Sequence, residues 1–182
     1  MKWLGLAVVL LSAPTLAQPA EAEPPLPLAP PAWVANELRQ RVGRWEADNA
    51  AYQSDDEPQE AYVIEWSWGV GQTSLRGRLF GLIDGDEVGT YWEFRQYWHP
   101  GTETFVVEQF GYGGVGVGHH AQAADGVIAT EQTFYRPDGT VAREGHRSRL
   151  DGDTDHSASF IIEPDGSWTP GRSYVWHRVS AE

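Results

Sequence analysis

Asp-Gly pairs punctuate the second half of the chain at a nearly constant interval. Asp125-Gly126, Asp138-Gly139, Asp151-Gly152 and Asp165-Gly166 stand 13, 13 and 14 residues apart, and Asp84-Gly85 repeats the signal earlier. Asp-Gly between alternating runs favours a tight hairpin, because glycine accepts positive φ without steric cost. Such spacing leaves strands of about eight to ten residues, each returning beside its predecessor. The runs between turns are 44–52, 61–68, 73–83, 88–98, 104–112, 117–123, 127–136, 140–150, 154–163 and 168–179. Strands in meander order, with no room for crossover helices, either expose two long edges or close on themselves, and closure removes the edges. The expectation is an all-β fold, an antiparallel up-and-down β-barrel of about ten strands, wide enough to hold a cavity. An open sheet or a sandwich is the competing architecture.

Ahead of the first strand, Val34, Leu38 and Val42 recur at i, i+4 and i+8 among Asn36, Glu37, Arg39, Gln40 and Arg41. That spacing predicts a short helix over 33–42 with one apolar stripe. Gly43 ends it and turns the chain into the strand.

Residues 1–17 carry Lys2, an apolar stretch from Trp3 to Leu11, and small residues Thr15 and Ala17. This is the pattern of a secretory signal peptide, too short to span a bilayer stably. Residues 18–32 hold six prolines and read as an extended tether, with a ligand for a proline-recognition module as the alternative. The folded domain then covers 33–182, and the expected compartment is the periplasm or the medium. The chain has no cysteine, so disulfides and thiolate chemistry are excluded. A formal charge of -13 disfavours nucleic acid and anionic membranes as partners, and no membrane insertion is expected once the signal is removed. Oligomeric state is left open.

Alternation along the strands divides inward from outward side chains. Ile64, Trp66 and Trp68 oppose Val63, Glu65 and Ser67, while Leu75, Leu79 and Ile83 oppose Arg76 and Arg78. Trp92, Phe94 and Trp98 oppose Glu93 and Arg95; Phe105 and Val107 share a face, as do Tyr174 and Trp176. The expected ligand-binding wall is Ile64, Trp66, Leu79, Trp92 and Phe94 together with Phe105, Val107, Tyr174 and Trp176. Such a wall suits a flat apolar guest. It equally suits a barrel packed solid. The glycine-rich run 111–118 lacks the lysine and following helix of a phosphate loop, and reads as a flexible loop at the barrel mouth or a bulged corner.

Chemistry-bearing residues are sparse. The six histidines form no helical metal-binding pattern, and His119 and His120 point to opposite faces of a strand. No Gly-x-Ser-x-Gly elbow is present. Glu93 with Arg95, and Glu144 with His146, sit two apart and read as pairs on the solvated outer face. No catalytic residue, metal ligand or cofactor is assigned.

Gly43-Arg44-Trp45 at the first strand, together with Arg178 in Tyr174-Val175-Trp176-His177-Arg178, resembles the lipocalin-like (calycin) barrels. Tyr91-Trp92-Glu93-Phe94-Arg95, and Glu131-Gln132-Thr133-Phe134-Tyr135 followed by Pro137-Asp138-Gly139, extend the likeness to secreted bacterial proteins with such a domain, of uncharacterised function. The resemblance implies that Trp45 plugs one barrel end and Arg178 covers it, making Gly43, Trp45 and Arg178 a structural lock. Related barrels bind fatty acids, retinoids, or haem through an inward histidine. His177 has the opposite parity from Trp176 and does not meet that requirement. The expectation for function is a secreted barrel binding a small apolar or amphiphilic molecule. A cavity enzyme, an isomerase or hydrolase using a carboxylate and a histidine, is the alternative, as is a structural or partner-binding envelope protein with a filled core.

Overall fold

The computed structural model describes residues 29–179. Residues 1–28, which hold the expected signal peptide and most of the proline-rich stretch, and residues 180–182 lie outside the described residues. Helix α1 (Ala32–Arg41) precedes ten strands: β1 (Gly43–Asp48), β2 (Ala61–Trp68), β3 (Ser74–Ile83), β4 (Asp86–His99) and β5 (Thr104–Gly111), then β6 (Gly114–Gln122), β7 (Ile128–Tyr135), β8 (Val141–Asp151), β9 (Thr154–Ile162) and β10 (Trp168–Val179). Each strand pairs antiparallel with its predecessor, and β10 pairs with β1 to close the barrel. The closing register sets Trp45 against Arg178 and Glu46 against His177.

Closure is reinforced where it occurs. The Arg178 guanidinium lies 4.2 Å from the centroid of the Trp45 ring, and the indole N–H donates to the Arg41 carbonyl at 2.8 Å. Arg178 also donates to the Gln40 and Val42 carbonyls and to Asp153 Oδ1 at 2.7 Å. A cation on the last carbonyls satisfies orphaned acceptors and complements the helix dipole. Thus one side chain of the last strand holds the C-terminus of α1, the first strand and the plug together. Gly43 has φ +127°, and a Cβ there would stand 2.8 Å from the Arg178 guanidinium, so glycine is required twice over.

The main core sits at the helix-covered end. Val34 and Leu38 of α1 pack with Trp45, Trp66, Leu75, Phe105 and Trp176, and Trp33 meets Phe105 edge-on with ring centroids 5.8 Å apart. Alternation alone does not anticipate a second cluster, of Ala61, Val63, Phe80 and Leu82, on the outward parity of β2 and β3. It is roofed by charge: Arg78 and Arg44 stack over the Phe80 ring at 4.3 and 5.3 Å and both bind Glu65. Aliphatic and guanidinium surfaces of arginine cover apolar area while the charge stays wet.

Two segments differ from the sequence expectation. The first strand ends at Asp48 instead of residue 52, because Asn49 turns fully inward; its amide donates to the Gln59 carbonyl at 2.9 Å and its oxygen accepts from the Tyr174 hydroxyl at 3.0 Å. The loop 49–60 is thereby held over the end of the barrel opposite α1. The glycine-rich run is also more regular than expected. It forms the tight β5–β6 hairpin, with Tyr112 and Gly113 between paired Gly111 and Gly114, and continues as strand. A Cβ on Gly118 would lie 1.8 Å from the Glu131 carbonyl oxygen, so these glycines let β6 and β7 approach closely.

Candidate functional site

The barrel is not filled by its own side chains. A cavity of about 510 Å³ runs along the axis from the α1 end to a rim formed by Arg136, Glu144 and Arg172. All nine residues expected on the inner wall line it: Ile64, Trp66, Leu79, Trp92 and Phe94 from β2 to β4, Phe105 and Val107 from β5, and Tyr174 and Trp176 from β10. Neighbouring rings on this wall meet at angles: Trp66 and Phe94 at 5.3 Å between centroids, Trp92 and Phe134 at 5.9 Å, Tyr174 and Trp176 at 5.7 Å. Such tilted contacts fix ring positions and leave a shaped apolar surface. A larger groove along β1–β4 is bordered by Arg44, Glu65, Arg78 and other charged side chains.

Opposite the aromatic wall, β6 to β9 present polar groups. Cross-strand register sets His120 beside Thr130, Thr130 beside His146, and His146 beside Ser159 in one row. Gln132 faces Glu144 in the next row toward the mouth. His120 Nδ1 lies 2.7 Å from Thr130 Oγ1, and its ring packs on Phe105 with centroids 4.5 Å apart. Here the expectation for Glu144 and His146 is overturned. Both line the cavity instead of the outer face, because β8 carries too few apolar residues for alternation to reveal which parity is inward.

The α1 end is sealed by an ionic network. Arg41 reaches inward from the helix, and its Nε donates to Glu37 at 2.7 Å while its other nitrogens bind Asp155 and Ser148. Ser148 donates to the second Asp155 oxygen at 2.6 Å. Burial opposes the arginine charge, but the two carboxylates more than offset it and hold its pKa above the ordinary value. At the mouth Arg172 pairs with Glu57 of the 49–60 loop at 2.5 and 2.7 Å, and Arg136 with Glu144 at 3.1 Å. Hydrogen bonds from Arg172 draw Glu57 down to about 2.

Burial pushes His120 down to about 3, with the Arg41 charge acting in the same direction, and burial also lowers His146. The unfolded chain therefore takes up protons before the folded one, so this stability is complete above about pH 6.5 and is lost as pH falls below it. His120 alone is expected to cost about 2 kcal/mol between pH 7 and pH 5. Denaturant unfolding at the two pH values measures this, and His120→Phe should make the slope shallower. Glu57 adds nothing in that window, since its contribution is lost only as pH falls from 4.5 toward its folded value. An identical slope in the variant would place the titration elsewhere.

Among the described residues, no three His, Asp or Glu side chains converge as a metal-ligand set. Three buried polar atoms among them lack a hydrogen-bond partner: Trp98 Nε1, His120 Nε2 and Gln132 Nε2. The last two belong to residues of the cavity wall.

Neither a protein-family model nor a curated protein matches the chain. Among solved structures, the crystal structure of Rv2717c from M. tuberculosis is similar over 81% of this chain and 98% of that one, at 17% identity and a TM-score of 0.47.

Proposed function

We propose that the protein is an exported, lipocalin-like carrier that binds a small apolar or amphiphilic molecule inside the barrel. The observation that carries this is the aromatic-walled cavity of about 510 Å³, a volume in the range of small-molecule sites. Trp66, Trp92, Phe94 and Phe134 give the cavity an aromatic lining suited to a flat guest, and the strands around them form a closed, pre-organised cage. Pre-organisation limits the entropy lost on binding, so buried apolar area converts to affinity. Proton-transfer chemistry finds less support. Glu37 and Asp155 are both committed to Arg41, and a histidine held near 3 is a weak base at neutral pH.

The test is direct. An apolar dye should bind one per barrel and quench tryptophan fluorescence, and native mass spectrometry of the exported protein should show a bound small molecule. A broad panel of lipids, aromatic compounds and haem that changes neither signal would remove the carrier reading.

A further inference from the structure

We infer that the guest of this cavity is a neutral, ring-bearing molecule whose polar end is a hydrogen-bond acceptor, a carbonyl-type oxygen, received by Gln132 and His120. The inference rests on the carrier reading and narrows it to one ligand chemistry. Gln132 lines the cavity and is 4% exposed, its side-chain nitrogen is buried without an acceptor, and an amide left in that state costs free energy in the empty protein. His120 Nε2 is in the same state on the adjacent strand, one row deeper. We assign the tautomer in which the Thr130 hydroxyl donates to Nδ1, which puts the imidazole proton on Nε2 and makes both unpartnered atoms donors. They stand on β6 and β7, across the ten-strand ring from Trp66 on β2, so a flat guest seated on Trp66 directs its edge toward them.

Charge decides against an anionic headgroup. Every arginine that lines the cavity already has a carboxylate: Arg41 has Glu37 and Asp155, Arg136 has Glu144, and Arg172 has Glu57. Burial keeps His120 and His146 uncharged at neutral pH. A carboxylate guest would enter with no free cation to meet it and would face Glu144 beside Gln132. A neutral oxygen meets two waiting donors and no repulsion.

Three probes of one shape separate these cases: fluorene, 9-fluorenone and fluorene-2-carboxylate, titrated against tryptophan fluorescence and by calorimetry. The ketone is expected to bind at least about tenfold tighter than the carboxylate, for want of a cation. Gln132→Leu should weaken the ketone by about fivefold relative to fluorene, the loss of one net hydrogen bond. The same apo variant should unfold at the wild-type temperature or above it, because an unsatisfied buried amide has gone. His120→Phe supplies a second route to the same selective loss. Tighter binding of the carboxylate overturns the inference, as does a ketone affinity indifferent to both substitutions, while fluorene binding leaves the carrier reading standing. If none of the probes binds, the carrier reading fails and takes the inference with it.

Discussion

Asp155→Ala is expected to destabilise the protein by about 3–5 kcal/mol, the cost of stranding one member of a buried ion pair. Asp155 is 4% exposed and bridges Arg41 of the helix to Ser148 of β8. Removing it leaves the guanidinium inside the barrel end with Glu37 as its remaining carboxylate. The guanidinium stays inside, held by Glu37 and Ser148. Replacing both partners, Arg41→Met with Asp155→Leu, should recover most of the loss, since an apolar pair of similar volume avoids the desolvation penalty. Denaturant unfolding of the two single variants and the double one completes the cycle. A single-variant loss below about 1 kcal/mol would mean that water reaches this end and the pair behaves as a surface one.

The same network marks where sequence reasoning stops. Regular Asp-Gly turns make the meander countable, and alternation in β2 to β5 and β10 places nine cavity residues, because Trp66 and Trp68, Trp92 and Trp98, and Tyr174 and Trp176 mark one parity of their strands. In β8 both parities are polar, and in β6 and β9 the apolar residues Val115, Val117, Ala158 and Phe160 lie on the parity that faces away from the cavity, so the pattern that identifies an inner face is missing or reversed, and Glu144 and His146 read as outer-face residues. Arg41 and Glu37 lie off the apolar stripe of α1 and read as solvated. They are buried because the helix caps a barrel, where flanks of the stripe also meet protein. The outward cluster around Phe80 escapes for a related reason: Arg44 and Arg78 read as solvent-facing, and in the fold they are a lid. Charged residues that bury their stems or pair across long sequence separations carry no periodic signal. The polar half of the chamber is therefore visible only once the strands are assembled.

Trp45→Ala is expected to cost about 3–5 kcal/mol, the range for removing a large aromatic ring from a core that relaxes only partly. The ring is 2% exposed, and it serves three partners at once. It packs against Val34 and Leu38, receives the Arg178 guanidinium on its face, and donates to the Arg41 carbonyl. Its loss opens a void at the junction of α1, β1 and β10, where Arg178 would keep its carbonyl and Asp153 contacts but lose the aromatic face. Trp45→Phe separates these effects. It keeps most of the apolar bulk and gives up the N–H bond, so about 1 kcal/mol should be lost in that variant. The order of the two losses follows from burial, measured by urea unfolding with near-ultraviolet dichroism as a check on the native state. Equal losses would assign the stabilisation to the hydrogen bond instead of the ring, and an alanine variant within about 1 kcal/mol of wild type would show that the barrel closes without its plug.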